Sequence, residues 1–494
     1  MGAVIEAPSG RPSSGNKSLQ FEIGMPVKFD IVGGNSFGRY KKISSEETYN
    51  MIVSDGALVN FPGYSLVKKL FGNNGREIYT STRYNKMIAV VSDNVFSIST
   101  DLSFTLVGSL NTFSGDVYIS ENLGSQIAIC DGFTIYIFNY QNNTFVQVKV
   151  DFLPGYITFQ DTYFIATDKR TNRWRLSANN DGTLWPSDGG HIGELQTKST
   201  NAVAAVVLAR QLFVFGQTFA EPWYDIGYTL FPYQRTNYYT IDYGTISPST
   251  IDVGFGLMVW LGSNEKTGIS IMASTGGIPE KISNDGLDFV FSNLKSPQDS
   301  YGFLFREAGH VFYVLTFTKD NLTYVYDFNT KMFFTLTDKS MNHHPARRIT
   351  FFNGSYYFVS FNDGNIYKIS STIYTSGDHE TPRFRILKPF RLPLGDRFVI
   401  NNINITMEQG ILENENKSSL SLLPIRRPRI DIAASRDGGE SYKYVASKKM
   451  NPLGKRENIC NFWNLGSYVD CTLKFAFWGE QRFCITGAEG NIYQ

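Results

Sequence analysis

What this chain of 494 residues lacks narrows its class before any motif is considered. It has no run of about 18 apolar residues free of charge, so no segment reads as a membrane-spanning helix. The opening stretch MGAVIEAPSGRPSSGNK has no apolar leader core, and Glu6 stands where a myristoylation signal needs Ser or Thr. Neither membrane insertion nor secretion is expected. Cysteine is scarce: Cys130, Cys460, Cys471 and Cys484 form no C-x-x-C pair, and a disulfide scaffold of this length would be far denser. Reduced, buried thiols and assembly in a reducing cytoplasm follow. Excess charge is missing too, with 46 Lys plus Arg against 45 Asp plus Glu, so no global field marks a nucleic-acid or membrane binder. Five histidines include a single cluster, His343-His344, without a Cys or carboxylate at ligand spacing. No G-x-x-x-x-G-K-[ST] loop and no G-x-S-x-G elbow occurs. Neither a metal nor a cofactor is expected.

Aromatics and turn formers are plentiful. Phe (39), Tyr (28) and Gly (44) favour many short strands joined by tight turns over long helices. Apolar runs of four to seven residues recur, each bounded by Gly, Asn or Asp, and seven share one form: KMIAVV, SQIAIC, TYFIAT, QLFVFG, LMVWLG, HVFYVL and SYYFVS. Their anchors, Ile88, Ile127, Tyr163, Leu212, Met258, Val311 and Tyr356, are 39, 36, 49, 46, 53 and 45 residues apart. One four-stranded propeller blade takes about 40 to 50 residues, so the spacing predicts about seven blades. A large β-sandwich array with evenly spaced strands would be the other source of such a pattern. Asp93-Asn94, Asp131-Gly132, Asn180-Asp181-Gly182 and Asp363-Gly364 supply turn chemistry between the strands. The fold class is therefore all-β, an approximately seven-bladed propeller over 61–381. An N-terminal arm or clasp at 1–60, able to pair with a neighbour's edge, precedes it, and a smaller β-rich region at 382–494 follows.

Two segments have the form of an Asp-box hairpin. SRDGGESY places Ser435, Asp437, Gly439 and Tyr442 in the pattern S-x-D-x-G-x-[ST]-[WY], in which the carboxylate folds over the turn and the aromatic packs beneath. SANNDGTLW is looser, with Ser177, Asp181, Gly182 and Trp185. Both read as structural turns and not as catalytic groups. A sialidase-like enzyme needs clustered arginines, a Tyr nucleophile with a Glu partner, and an acid. Arg170, Arg173, Arg175, Arg210, Arg235 and Arg306 are available in number, and Glu221 and Asp225 flank Trp223, but neither set has a catalytic spacing. No catalytic residue is assigned. From Arg383 to Arg429, nine basic residues face four acidic ones, an excess that would suit phosphate or an acidic protein surface; a solvated rim is the plainer account.

Five ordered segments carry a family likeness: FPGYSLVKKL, DVYISENLGSQIAICDGFTIYIFN, ITFQDTYFIATDKRTNRWRLSANNDGTLW, VVLARQLFVFGQTFAEPWYDIGYTLFPYQR, and GLMVWLG with TGISIM. In that order they resemble the packaged-DNA stabilisation proteins of short-tailed bacteriophages, over about Pro62 to Met272. The match is densest at 202–235, with its Phe-Gly strand end, Glu-x-Trp-Tyr turn and Phe-Pro-x-x-Arg step. The resemblance implies a virion component assembled in the host bacterial cytoplasm, a homohexameric ring below the portal and its adaptor. That ring closes the head after packaging, retains the genome, carries the tail needle and tailspikes, and is open to contact with genomic DNA in its channel. A carbohydrate-binding or sialidase-like propeller is the alternative, and a cellular propeller scaffold a third. An enzyme would gather Arg, Tyr and carboxylate side chains in the axial pocket; a hub would place its informative surfaces on the rim.

Overall fold

The computed structural model describes residues 24–228, 230–236, 239–409, 428–450 and 458–494. Each of the seven anchor runs is the second strand of its own sheet, antiparallel to both of its neighbours, for example Lys86–Val91, Gln126–Cys130 and Gln211–Phe215. The physical reason is their position. A second strand lies between the faces of two neighbouring blades, so nearly every side chain is buried and the sequence reads as a continuous apolar run. The outermost strands are short or exposed, as in Phe104–Ser109, and leave no such trace.

The innermost strands, Gly75–Ser81, Tyr118–Glu121, Pro154–Gln160, Ala204–Leu208, Asp252–Gly254, Ser300–Glu307 and Ala346–Phe352, touch in succession around an axis, and the last packs against the first. Seven blades close the ring. Of the expected turn residues, Gly132 takes φ 81°, Gly364 φ 67° and Asn180 φ 52°, a region glycine enters most easily, whereas before Asn94 the positive φ falls on Ser92 and Gly182 has none. The longest spacing, between Met258 and Val311, holds the helix Asp285–Ser292, capped by Asn284, whose side chain accepts from the Leu287 N–H at 2.8 Å.

Blade 7 is completed by the N-terminal side of the chain. Gly63–Lys68 pairs antiparallel with Ile366–Ser370, so a strand preceding blade 1 becomes the outer strand of the last blade. Tyr64 locks this closure, its ring lying 5.3 Å from His344, 5.3 Å from Phe358 and 5.5 Å from Tyr367. Replacing Tyr64 by Ala should cost roughly 3–5 kcal/mol through the cavity left among these rings. Urea unfolding should show this as a lower midpoint with an unchanged slope.

The remaining strands form two sheets. One extends blade 6: Met332–Thr335 pairs in parallel with Glu47–Tyr49, and the sheet continues through Arg383–Ile386, Asp470–Trp478, Arg429–Ser435 and Lys443–Lys449. The other joins Met51–Ser54 and Ala57–Asn60 to Cys484–Tyr493, Phe398–Met407 and Ile459–Tyr468, with Met25–Phe29 also on Cys484–Tyr493. The strands of residues 25–60 thus pair within this chain, Met25–Phe29 and Ala57–Asn60 with Cys484–Tyr493 and Glu47–Tyr49 with Met332–Thr335 and Arg383–Ile386; residues 1–23 of the expected arm lie outside the described residues. One hydrophobic core runs from Leu58, Ile403, Ile432, Phe475 and Ile485 to Phe305 and Phe358 of blades 6 and 7. All four cysteines are free thiols, and burial pushes Cys130 and Cys471 up to about 12. Among the described residues, no helix is long and apolar enough to cross a membrane, and no group of three His, Cys, Asp or Glu could hold a metal.

Candidate functional site: the propeller axis

The seven inner strands enclose a cavity of about 680 Å³. Its apolar wall includes Ile119, Val207, Val253, Phe255 and Phe351, and Phe255 and Phe351 are about half exposed at 50% and 54%. Deeper in lie Glu77, Asp252, Arg348, Tyr118 and Tyr156. Arg348 Nε stands 3.3 Å from Glu77 Oε2, and its Nη1 donates to the Gly302 carbonyl. Asp252 accepts from the Leu304 N–H at 2.6 Å and the Val253 N–H at 3.0 Å. Burial pushes the Glu77 carboxyl up to about 7, against the pull of Arg348, and burial raises Asp252 as well. Burial alone would lower the Arg348 guanidinium, but Glu77 and Asp252 hold it above its usual range.

Two further arginines lie close by. Arg76 donates to the Gly115, Ser92, Thr112 and Ser114 carbonyls at 2.7–3.1 Å, and burial lowers it to about 10. Arg347 pairs with Asp116 and lies 4.2 Å from the centre of the Tyr301 ring. Each guanidinium is thus occupied by the chain's own carboxylates or carbonyls. Sequence reasoning looked for arginines elsewhere and missed these. The available signal was a charge inside a strand otherwise built of β-formers: Arg76-Glu77 in GREIYTS and Arg347-Arg348 in ARRITFF.

None of the six arginines singled out by the sequence lines the axis. Arg173 pairs with Glu194 at 2.7 Å and Arg175 with Asp151 at 3.8 Å, while the backbone carbonyl of Arg210 accepts from Gln160. The buried Glu221 accepts from the Gln196 and Thr197 N–H groups at 2.9 and 2.6 Å, and Asp225 from the Gly227 N–H at 2.7 Å. Both organise loops. His344 is buried, lowered by that burial to about 3, and His343 meets Asn321.

The two Asp-box segments are also away from the axis. Asp437 accepts from the Ser435 hydroxyl, from the Glu440 and Ser441 N–H groups at 3.0 Å each, and from the Ser441 hydroxyl. These bonds, Ser435 first, hold its carboxyl well below the usual range. Gly439, at φ 93°, brings the turn over the half-buried Tyr442. The looser turn is held by Asp181, which accepts from the Thr183 N–H at 3.0 Å and from Gln126 of blade 2 at 3.1 Å. Trp185 Nε1 donates to the Gly182 carbonyl at 2.8 Å, and Ser177 accepts from the Phe164 N–H at 3.0 Å. This turn ties blade 2 to blade 3.

Among the described residues, the basic stretch forms no single face. Arg383 and Arg385 are buried at 1% and 0%, bonded to the Gly479 carbonyl and to the Gly34 and Asp30 carbonyls with Glu46. Lys388 also meets Glu46 at 3.1 Å, Arg391 meets Asp470, and Arg429 meets Asp431 at 3.2 Å. Lys417, Arg426 and Arg427 lie outside the described residues.

A second constellation was invisible in the sequence. His310 Nδ1 is 2.8 Å from Asp327 Oδ2, and His310 Nε2 is 3.0 Å from Ser54 Oγ. These are the distances of a nucleophile, a base and its orienter. Asp327 also accepts from the Asn329 N–H and the Thr330 hydroxyl, and Ser54 lines neither the axial cavity nor the one beside the Glu307–Gly309 turn. The three side chains tie the hairpin of Met51–Ser54 and Ala57–Asn60 to blade 6.

Comparison with known proteins decides the family. Residues 45–374 match the phage stabilisation family, described as bacteriophage P22 Gp10, beta-propeller. The chain belongs to this family. As one of the phage stabilisation proteins it has a structural role, closing the head and stabilising the tail. Family membership makes it a phage virion protein of the tail, and implies contact with portal and tail components. No curated protein sequence matches it. Among solved structures it is similar to selenomethionine-substituted virginiamycin B lyase from Staphylococcus aureus, at 14% identity and a TM-score of 0.45, over 63% of this chain and 99% of that one. BamB from Moraxella catarrhalis is similar at 8% identity and a TM-score of 0.38, over 70% and 98%.

Proposed function

We propose that this phage stabilisation protein works as a homohexameric ring that seals the portal exit, seats on the adaptor ring, and carries the tail needle and tailspikes, without catalysing a reaction. Assembly takes place in the host bacterial cytoplasm. The family match carries this reading, and the axial chemistry supports its non-catalytic part. Arg76, Arg347 and Arg348, the guanidinium groups a sialidase-like site would turn to a substrate carboxylate, are committed to internal partners. Rim and edge surfaces are then left to carry the contacts, each needing about 1,000 Å² to be stable.

Electron microscopy of the purified protein, alone and mixed with packaged but leaking heads, tests the ring. Six-fold density capping the portal vertex is expected; density confined to spike positions would overturn it. Fluorogenic sialosides and related glycosides should show no turnover, and a fluorophosphonate reagent should not label Ser54. Turnover lost on replacing Tyr118, Tyr156 or Glu77, or labelling lost in His310→Ala, would make the protein an enzyme.

A further inference from the structure

We propose that the axial funnel is a binding site for one organic cation, an alkylammonium or guanidinium group, held by Glu77 and Asp252. This goes beyond head closure and does not depend on it. The funnel is the right size, since ligand sites commonly enclose about 300–1,000 Å³. Its floor has two carboxylates against one guanidinium, so with both carboxylates ionised it carries an unbalanced negative charge. A buried unbalanced charge is costly, and the floor can be neutralised by a proton or by a cation. The rim suits the second. Exposed Phe255 and Phe351, with Tyr356 and Tyr79, offer aromatic faces of the kind that attract ammonium and guanidinium groups. An anion finds no equivalent, because Arg348, which already donates to Glu77 and the Gly302 carbonyl, stands beside two carboxylates that repel a further negative charge.

Binding then exchanges a proton for the cation. The groups facing Glu77 are Arg348 and, further off, Arg347 on Ala346–Phe352, and Asp252 on its own strand. Tyr118 and Tyr156 sit beside the cluster with burial holding both hydroxyls neutral. Glu77 is thus the group that releases the proton, and affinity rises with pH until Glu77 is ionised without help.

Calorimetric titration of the full chain with n-butylammonium chloride, repeated in buffers of different ionisation heat at pH 6, should show saturable binding with release of nearly one proton. A capped tripeptide with a central lysine is the second arm. Tighter binding of the peptide makes the source a protein side chain, and binding of butylammonium alone makes it a free amine. Glu77→Gln, which has the shape of the protonated form, should abolish proton release and weaken binding about tenfold, the worth of one charge-assisted hydrogen bond. Wild-type protein gives an independent check, an affinity that rises about tenfold per pH unit below the Glu77 midpoint and levels above it. No saturable heat with either cation, an affinity indifferent to pH and to Glu77→Gln, or saturable binding of acetate instead would overturn the proposal.

Discussion

Phage particles lacking this protein are expected to fill with DNA and then lose it. Packaged duplex carries about one negative charge per 1.7 Å of axis, so confinement stores repulsion that drives the genome back toward the portal. Once packaging stops, only a physical seal retains it. A propeller serves this task because its blades are rigid and its strands leave few free edges, so several rim surfaces can be gripped at once without deforming the unit. Here blade 6 continues without a break into the second β region and blade 7 is closed by Gly63–Lys68, so load applied to that region is passed through hydrogen-bonded strands. Particles from a deletion phage should therefore contain little DNA after purification, and what remains should be DNase-sensitive. Complementation in trans should restore retention. Deletion particles that keep their DNA and fail only to adsorb would assign the protein to receptor binding instead.

The parts of the fold that could be read from the sequence are those whose burial leaves a mark. Second strands such as KMIAVV and QLFVFG lie between two blades and are apolar on both faces, so seven of them stood out at blade spacing. The strand Gly63–Lys68 carries a family segment yet gives no hint that it pairs with Ile366–Ser370, because a partner three hundred residues away leaves no local pattern. The same holds for Met25–Phe29 and Ala57–Asn60, both paired with Cys484–Tyr493, which the Gly, Ser and Pro content of the first part of the chain made look like an arm. The axial cluster was hidden for a related reason. Glu77, Asp252 and Arg348 come from blades 1, 5 and 7 and meet only when the ring closes. Arg383 and Arg385 mislead in the opposite sense, since a basic run looks like a surface until its carbonyl partners are seen to be interior.

Replacing Arg348 by Ala should be among the most damaging single changes in the propeller, at roughly 3–5 kcal/mol near neutral pH, the usual cost of breaking a buried ion pair from one side. Arg348 binds Glu77 of blade 1 and the Gly302 carbonyl of blade 6, and its charge acts on Asp252 of blade 5. Without it, Glu77 loses the guanidinium it pairs with and Asp252 the nearby positive charge, and the two carboxylates must take up protons or separate. The sign of the pH dependence follows. Glu77 has a midpoint of about 7 in the folded chain against an ordinary value of 4.5, so the folded state holds the proton more tightly than the unfolded one. Its contribution to stability is complete below the unfolded value and is lost as pH rises through about 7; Asp252 is shifted in the same direction. Wild-type stability should therefore decline from this cluster between about pH 4.5 and 7, and the decline should be steeper and larger in Arg348→Ala, whose deficit is smaller at pH 5 than at pH 8. Glu77→Gln, already neutral, should stay within about 1 kcal/mol of wild type near pH 6 and flatten the profile. Adding Glu77→Gln and Asp252→Asn to Arg348→Ala should recover much of the loss, because an uncharged floor no longer needs a guanidinium. Urea midpoints across pH 5 to 8 for these variants make the measurement. A deficit for Arg348→Ala that is independent of pH and not relieved by the two amides would mean that Arg348 acts by filling space and not by charge.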